Sequence, residues 1–422
     1  MKVFENKLLN EKYFYEKHSS GLNIYLFPKN EYKSSYAIIG TKYGSINKKF
    51  KYHSRIVETP EGIAHFLEHK LFECKKGDAF ELFSKTGAQS NAYTSFDKTA
   101  YLFSCCDKLK DSLKILLDFV QEPYFTEEGV NKEKGIIGQE IRMYEDSPNW
   151  QANIGLLSHI YKNHSVRDDI AGSLDSISRI TPDMLNTCYN AFYNFSNMTL
   201  CIVGNFEKDD ILEFIDKNIT KKCEEFDTET IFSDEPIGVI ENYIEKKMEV
   251  LNPIFYIGFK HPFKNSTLSC SEFVCSELLI NILALKSGNI YNSLISEGLI
   301  TTNNLNYGLF NGPYYKSSIF SGESKNPKKV FNIIRNEILS IQSNGFSVGD
   351  FERAKKTVYY QFVSSFNRVS SLANILLDLD FSDIQLFDLI DTVSSVDINS
   401  VNEQIKKDFN IDNSCLFEIV SI

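Results

Sequence analysis

The chain has 422 residues, of which 42% are hydrophobic and 24% charged, a balance that fits a soluble globular protein with two or more domains, each with its own core. Its formal net charge of −11 argues against a nucleic-acid binder, whose footprint would be a basic patch. No run approaches the ~18 uninterrupted apolar residues of a membrane helix, and Met1-Lys2-Val3-Phe4-Glu5-Asn6-Lys7 carries an acid and lacks an apolar signal core, so a cytoplasmic location with no membrane partner is expected.

Nine cysteines are scattered, odd in number and free of any C-x-x-C pair. Neither a disulfide framework nor a thiolate metal site is indicated, and most are expected to be buried thiols. Residues 12–45 read as strands. Gly21-Leu22-Asn23-Ile24-Tyr25-Leu26-Phe27 alternates, Pro28-Lys29-Asn30 turns, and Ser35-Tyr36-Ala37-Ile38-Ile39-Gly40 alternates again, which predicts an antiparallel sheet leading into a helix.

That helix, 59–72, carries the chemistry. Thr59 is placed to cap it, Pro60 suits the first turn, and Glu61 favours the positive end of its dipole. At about 100° per residue, Ile63, Phe66, Leu67 and Leu71 fall on one side and His65, Glu68 and His69 on the other. Two imidazoles four residues apart can share one zinc ion, and a glutamate beside them can take a proton from metal-bound water. Ordinary core or surface histidines are the alternative, but they leave the pairing, the intervening glutamate and the separation from the apolar stripe as three coincidences. The order is H-x-x-E-H, the reverse of the zincin motif.

Residues 80–83 continue helically to Gly87, and 90–104 is strand-like, with Tyr93, Phe96, Tyr101 and Phe103 among threonines. Leu109, Leu113, Leu116 and Leu117 predict an amphipathic helix over 108–121. A further helix opens at Thr126 and runs out near Asp146-Ser147-Pro148, with Glu133, Ile137, Glu140 and Tyr144 at i, i+4, i+7 and i+11. A catalytic zinc takes a third protein ligand, and the glutamates of this helix are candidates among which spacing cannot choose. Gly135 and Gly138 are expected to let another backbone approach.

Trp150 is expected in the core, and the i, i+5 spacing of His159 and His164 does not share a helical face, so both are read as structural. Thr181-Pro182-Asp183 caps another helix, and 198–204 reads as a buried strand. Between about 219 and 241 the chain turns charged and irregular, as a linker does. Strand 253–259, helix 269–285, strands around 317–320 and helices 327–343 and 348–366 then echo the first half without a residue-level repeat.

Residues 60–72, then Gly87-Ala88, Asn91-Ala92-Tyr93-Thr94 and Thr99-Ala100-Tyr101, then Glu133-Lys134 and Gln139-Glu140-Ile141, together resemble the pitrilysin-type (inverzincin) zinc peptidases. The likeness is to their short two-domain branch, similar to mitochondrial processing peptidase subunits and bacterial homologues. The resemblance implies one zinc per chain held by His65, His69 and Glu140, with Glu68 as general base and Glu133 as a supporting carboxylate. It also implies that Asn91 and Ala92 lie at a sheet edge that takes up peptide substrate as an added strand. The fold class it implies is α+β, with two similar halves, each an antiparallel-rich sheet carrying helices on one side, facing each other across a cavity. Residues 1–225 would form the zinc-binding domain and 226–422 a second, similar domain completing the chamber.

One segment departs from the pattern. Catalytic relatives carry an arginine and, seven residues later, a tyrosine within L-R-E-x-x-G-L-x-Y. Here Leu294-Ile295-Ser296-Glu297-Gly298-Leu299-Ile300-Thr301 is one residue shorter, with Ile295 and Thr301 at those places, and Tyr307 and Tyr315 are candidate substitutes. The expected function is zinc-dependent cleavage of extended or unfolded peptides, the alternative being a non-catalytic subunit. A dimer is expected, preferably with a related but different chain.

Overall fold

The computed structural model describes all residues except Lys76, Cys223 and Glu224. One of the nine cysteines and part of the expected linker therefore lie outside the described residues. The other cysteines are free thiols, and Cys105, Cys188, Cys201, Cys275 and Cys415 are buried as expected. No helix among the described residues is long and apolar enough to cross a membrane.

The chain divides into two compact units, each discontinuous in sequence. The first comprises Met1–Ile141, Asp169–Ile231 and Ser364–Phe387, and the second Arg142–Asp168, Phe232–Val363 and Asp388–Ile422. A single boundary at 225/226 does not describe this division, because a segment from each half of the sequence belongs to the other half's unit.

In the first unit the strands are β1 (Lys2–Asn6), β2 (Glu11–Lys17), β3 (Asn23–Pro28), β4 (Ser35–Thr41), β5 (Lys49–Tyr52), β6 (Arg55–Glu58), β7 (Glu73–Cys74), β8 (Gly77–Asp78), β9 (Gln89–Thr94), β10 (Thr99–Cys105), β11 (Met198–Gly204) and β12 (Thr228–Thr230). Seven of them form one sheet in the order β1-β2-β3-β11-β4-β10-β9. The alternating segments at 21–27 and 35–40 are both strands, but they are not neighbours. β11 lies between them, parallel to β3 and antiparallel to β4, and is buried along its whole length. Such a strand reads as a continuous apolar run, and Met198-Thr199-Leu200-Cys201-Ile202-Val203 is one. The linker also holds structure, since β12 pairs with β5.

The second unit contains β13 (Tyr243–Met248), β14 (Ile254–Lys260), β15 (Leu305–Gly312), β16 (Tyr315–Glu323) and β17 (Ser414–Ser421), in the order β13-β17-β14-β16-β15. β17 is parallel to β13 and antiparallel to β14. This repeats, strand for strand and direction for direction, the β3-β11-β4-β10-β9 part of the first sheet. The two similar halves are thus a repeat of topology.

Each sheet is covered by a helix from the other half of the sequence. Val369–Phe381 packs on β11 and β4, with Leu377 and Phe381 over Gly40 and the Asp380 carboxylate taking hydrogen bonds from Tyr25, Asn23 and Thr199. Pro148–Ile160 packs on β14 and β17, with Leu156 and Ile160 over Gly258 and Phe417 against Gly155. Trp150, in this second helix, is half-buried and stacks on Tyr144 at 4.1 Å, so it is not a core residue.

Candidate metal centre

The histidine helix is Ile63–Leu71, shorter at its start than the cap signals suggested. Thr59 instead bonds the Lys48 carbonyl through both its amide (2.9 Å) and its hydroxyl (3.1 Å), and Glu61 pairs with Lys48 at 3.3 Å. The N-cap is Gly62, whose left-handed φ of 86° strains any other residue. A Cβ there would lie 2.4 Å from the Ala171 carbonyl oxygen, and the neighbouring Gly172 would meet the Glu61 carbonyl in the same way, so two glycines let the loops touch and fix where the helix begins.

A helix of nine residues is marginal alone and must be held by packing. Ile63, Phe66, Leu67 and Leu71 are each at most 3% exposed, and burying such side chains contributes roughly 1.5–3 kcal/mol apiece. The helix packs against β9, β10 and the helix Pro182–Phe192. Away from its apolar residues it carries His65, Glu68 and His69, the first two also buried.

The third donor comes from the helix Glu127–Glu145. Glu140 Oε1 is 3.7 Å from His65 Nε2, and its Oε2 is 3.6 Å from His69 Nε2. One ligand atom from each of the three residues lies within 4.8 Å of the others. Zinc bonds of about 2.0–2.2 Å at tetrahedral angles put donor atoms about 3.3–3.6 Å apart, so two imidazoles and a carboxylate at these separations suit that ion. Among the described residues no other group of three histidine, cysteine or acidic side chains has such a geometry.

Glu133, two turns before Glu140, accepts from His69 Nδ1 at 3.0 Å and lies 3.9 Å from the buried ammonium of Lys70, which also pairs with Glu73. A carboxylate on the far ring nitrogen fixes the tautomer that presents Nε2 outward. His65 has no such support, as its buried Nδ1 lacks a hydrogen-bond partner. At the helix glycines an added Cβ would meet no other backbone among the described residues: at Gly135 it would face open space, and at Gly138 it would meet the Leu174 side chain.

The electrostatics follow from burial and neighbours. Burial, with the like charge of His69, pushes the His65 imidazole down to about 4 against the pull of Glu140 and Glu133, so its lone pair is free at neutral pH. Burial also lowers His69, but its hydrogen bond to Glu133 and the charges of Glu68, Glu133 and Glu140 outweigh this and raise it. Burial raises Glu68 above the usual carboxylate range despite His69 and a 2.9 Å hydrogen bond from Thr94 Oγ1, making it a stronger base. Burial acts on Glu133 too, yet the bond and charge of His69, with Lys70 and Lys132, hold it low and ionised.

Asn91 and Ala92 lie on β9, at one end of the seven-stranded sheet, which among the described residues pairs with β10 alone. The Ala92 amide is taken by Asn91 Oδ1 at 2.9 Å. Two residues escaped the sequence reading, Thr94 and Lys70. Both lie within recognised blocks, but nothing in their spacing marks a contact with Glu68 or Glu133. His159 and His164 lie in the second unit, on Gly155 O (2.7 Å) and on Pro313 O (2.9 Å).

Residues 55–173 match the family model described as Insulinase (Peptidase family M16), and 179–358 match Peptidase M16 inactive domain. The "Uncharacterized zinc protease YmfH" of Bacillus subtilis is 37% identical, covering 100% of this chain and 99% of its own. A second Bacillus subtilis protein, the "Uncharacterized zinc protease YmxG", is 31% identical over 38% of this chain and 41% of its own. Among solved structures, a putative M16-like peptidase from Alicyclobacillus acidocaldarius superposes with a TM-score of 0.95 at 29% identity, covering 99% of this chain and 100% of that one. A protease from Helicobacter pylori gives a TM-score of 0.83 at 18% identity, covering 97% and 99%, a likeness of fold alone.

Proposed function

The chain belongs to the insulinase family of peptidases, M16, and on that premise we propose that it is a zinc-dependent endopeptidase acting on extended or unfolded peptides. The observation that carries the reading is the convergence of His65 Nε2, His69 Nε2 and the Glu140 carboxylate, with Glu68 on the same helical face. These three residues would hold one zinc ion per chain, which when bound supplies a Lewis acid that polarises a carbonyl and acidifies water. Glu68 acts as general base, taking the proton of the attacking water on its carboxylate and passing it to the leaving amine. Glu133 keeps the His69 ring turned and deprotonated at Nε2. The β9 edge accepts substrate backbone as an added strand at Asn91 and Ala92, the Asn91 amide giving up Ala92 N–H as the peptide arrives.

The active form is a dimer in this reading, with a related but different chain as the preferred partner and a second copy as the alternative. Ile295 and Thr301 stand where the resembling pattern has its arginine and tyrosine, and a partner would supply those groups. The same departure supports the second reading, a non-catalytic or weakly active subunit. The deciding experiment is digestion of a reduced, unfolded protein by the purified chain before zinc removal, after it and after zinc return, with sedimentation of the same samples. Cleavage that follows zinc content is expected, and a zinc-loaded chain that cuts nothing alone or with a related chain would leave only the second reading.

A further inference from the structure

We propose that Thr94 is the positioning residue of the general base, tying the Glu68 carboxylate to the strand expected to receive substrate. The inference rests on the reading of Glu68 as base and adds a residue to it. Thr94 is the last residue of β9, two places beyond Ala92, and its hydroxyl lies 2.9 Å from Glu68 Oε2. The next candidate acceptor is Thr99 Oγ1 at 3.4 Å, on the paired position of β10.

Proton accounting fixes the direction. Thr99 is fully buried and donates its single hydroxyl proton to the Tyr43 carbonyl at 2.8 Å, so towards Thr94 it can only accept. Thr94 also has one proton, and the closer and charged acceptor is Glu68. No other hydrogen bond to the Glu68 carboxylate is present among the described residues, so Thr94 engages Oε2 and leaves Oε1 as the oxygen for proton transfer. Without that bond the carboxylate rotates about its last torsion, and its two oxygens become equivalent by exchange. Because Thr94 shares a backbone with Asn91 and Ala92, a peptide that shifts β9 also shifts the hydroxyl that holds the base.

The experiment compares Thr94→Val, which keeps the shape and removes the hydroxyl, with Thr94→Ser, which keeps the hydroxyl and removes the methyl. Two readouts are taken: kcat and KM on a fluorogenic extended peptide with the zinc-loaded chain, and the side-chain carboxyl ¹³C resonance of Glu68 in the metal-free chain at one fixed pH, assigned through Glu68→Gln. Thr94→Val should move that resonance and lower kcat roughly ten- to hundredfold, the size of one hydrogen bond to a charged group, with KM and zinc content unchanged. Thr94→Ser should restore both readouts most of the way. An unmoved resonance in Thr94→Val, equal losses in both variants, or a change in KM alone would overturn the proposal. If the wild type shows no zinc-dependent cleavage, the functional reading fails while the resonance still decides whether Thr94 holds Glu68.

Discussion

Two edges of the molecule, one per unit, share an arrangement and differ in what they carry. In the first, the helix Ile63–Leu71 packs on the terminal strand β9; in the second, Cys270–Leu283 packs on the terminal strand β15. The first helix gathers His65, Glu68 and His69 towards Glu140, with Thr94 of its strand bonded to Glu68. The second offers Asn281, bonded by Tyr307 of its strand at 3.3 Å, and Glu277, whose carboxyl burial pushes up to about 7, and among the described residues it joins no converging group of three metal donors. The second unit uses its charge differently, in buried pairs: Lys316 with Asp408 at 2.7 Å, Lys260 with Glu235 at 2.6 Å, and His261 between Asp408 and Ser318. One frame thus carries a convergent donor set beside buried pairs such as Lys70 with Glu133, and the other carries buried pairs without such a set among the described residues, so chemistry follows side chains and not topology.

The sharpest way to break that contrast is at the donors. His65→Ala or Glu140→Gln should abolish zinc retention and all zinc-dependent activity, read by metal analysis after dialysis, and a zinc-retaining His65→Ala would remove His65 from the donor set. Glu68→Gln should keep the metal yet lose roughly 10²–10⁴-fold in kcat, separating binding from proton transfer; near wild-type turnover would dismiss Glu68 as base.

In the second unit the large effects should fall on stability. Asp408→Asn leaves the Lys316 ammonium, 2% exposed, without its counter-charge, at a cost of about 3–5 kcal/mol, read as an earlier urea transition. An unchanged transition would mean that the pair contributes no order.

His164 tests the same idea through pH. Burial pushes it down to about 4, and both ring nitrogens are committed in the neutral form, Nε2 to Pro313 O and Nδ1 to the Val166 amide. Its folded value lies below the unfolded one near 6.5, so the unfolded chain binds the proton first. The associated stability is complete above about 6.5 and is lost as pH falls towards 4, by about 3 kcal/mol in all. His164→Gln should flatten that slope relative to wild type, a difference that isolates it from His65. Smallest should be Glu133→Gln, with a 10- to 100-fold loss of zinc affinity and the fold intact; no loss would reduce Glu133 to a structural contact.

What was legible in the sequence was local. His65, Glu68 and His69 sit within one turn, so helical spacing alone placed them on one face, and the alternating runs at 21–27 and 35–40 gave strands. Choosing Glu140 over its neighbours needed the family pattern, because Glu133 and Glu140 share a face and only the approach of another helix distinguishes them. The insertion of β11 between β3 and β4, and the start of the histidine helix at Gly62, depend on partners far along the chain that leave no periodic trace. Thr94 was hidden for the same reason: a threonine in a strand is ordinary until the helix above it supplies a carboxylate.

The exchanged helices bear on how this protein can be divided. A cut in the segment between Ile231 and Tyr243 would look like a separation of domains, yet the N-terminal fragment would lack Val369–Phe381 and bare the apolar middle of its sheet, while the C-terminal fragment would lack Pro148–Ile160. Neither piece is a folding unit in the sense of a bead on a string. Each is an unfinished template whose missing layer is encoded in the other, so the fragments should be sticky and insoluble alone yet able to complement one another when made together. A gene split at that point could persist only while both products were synthesised in step.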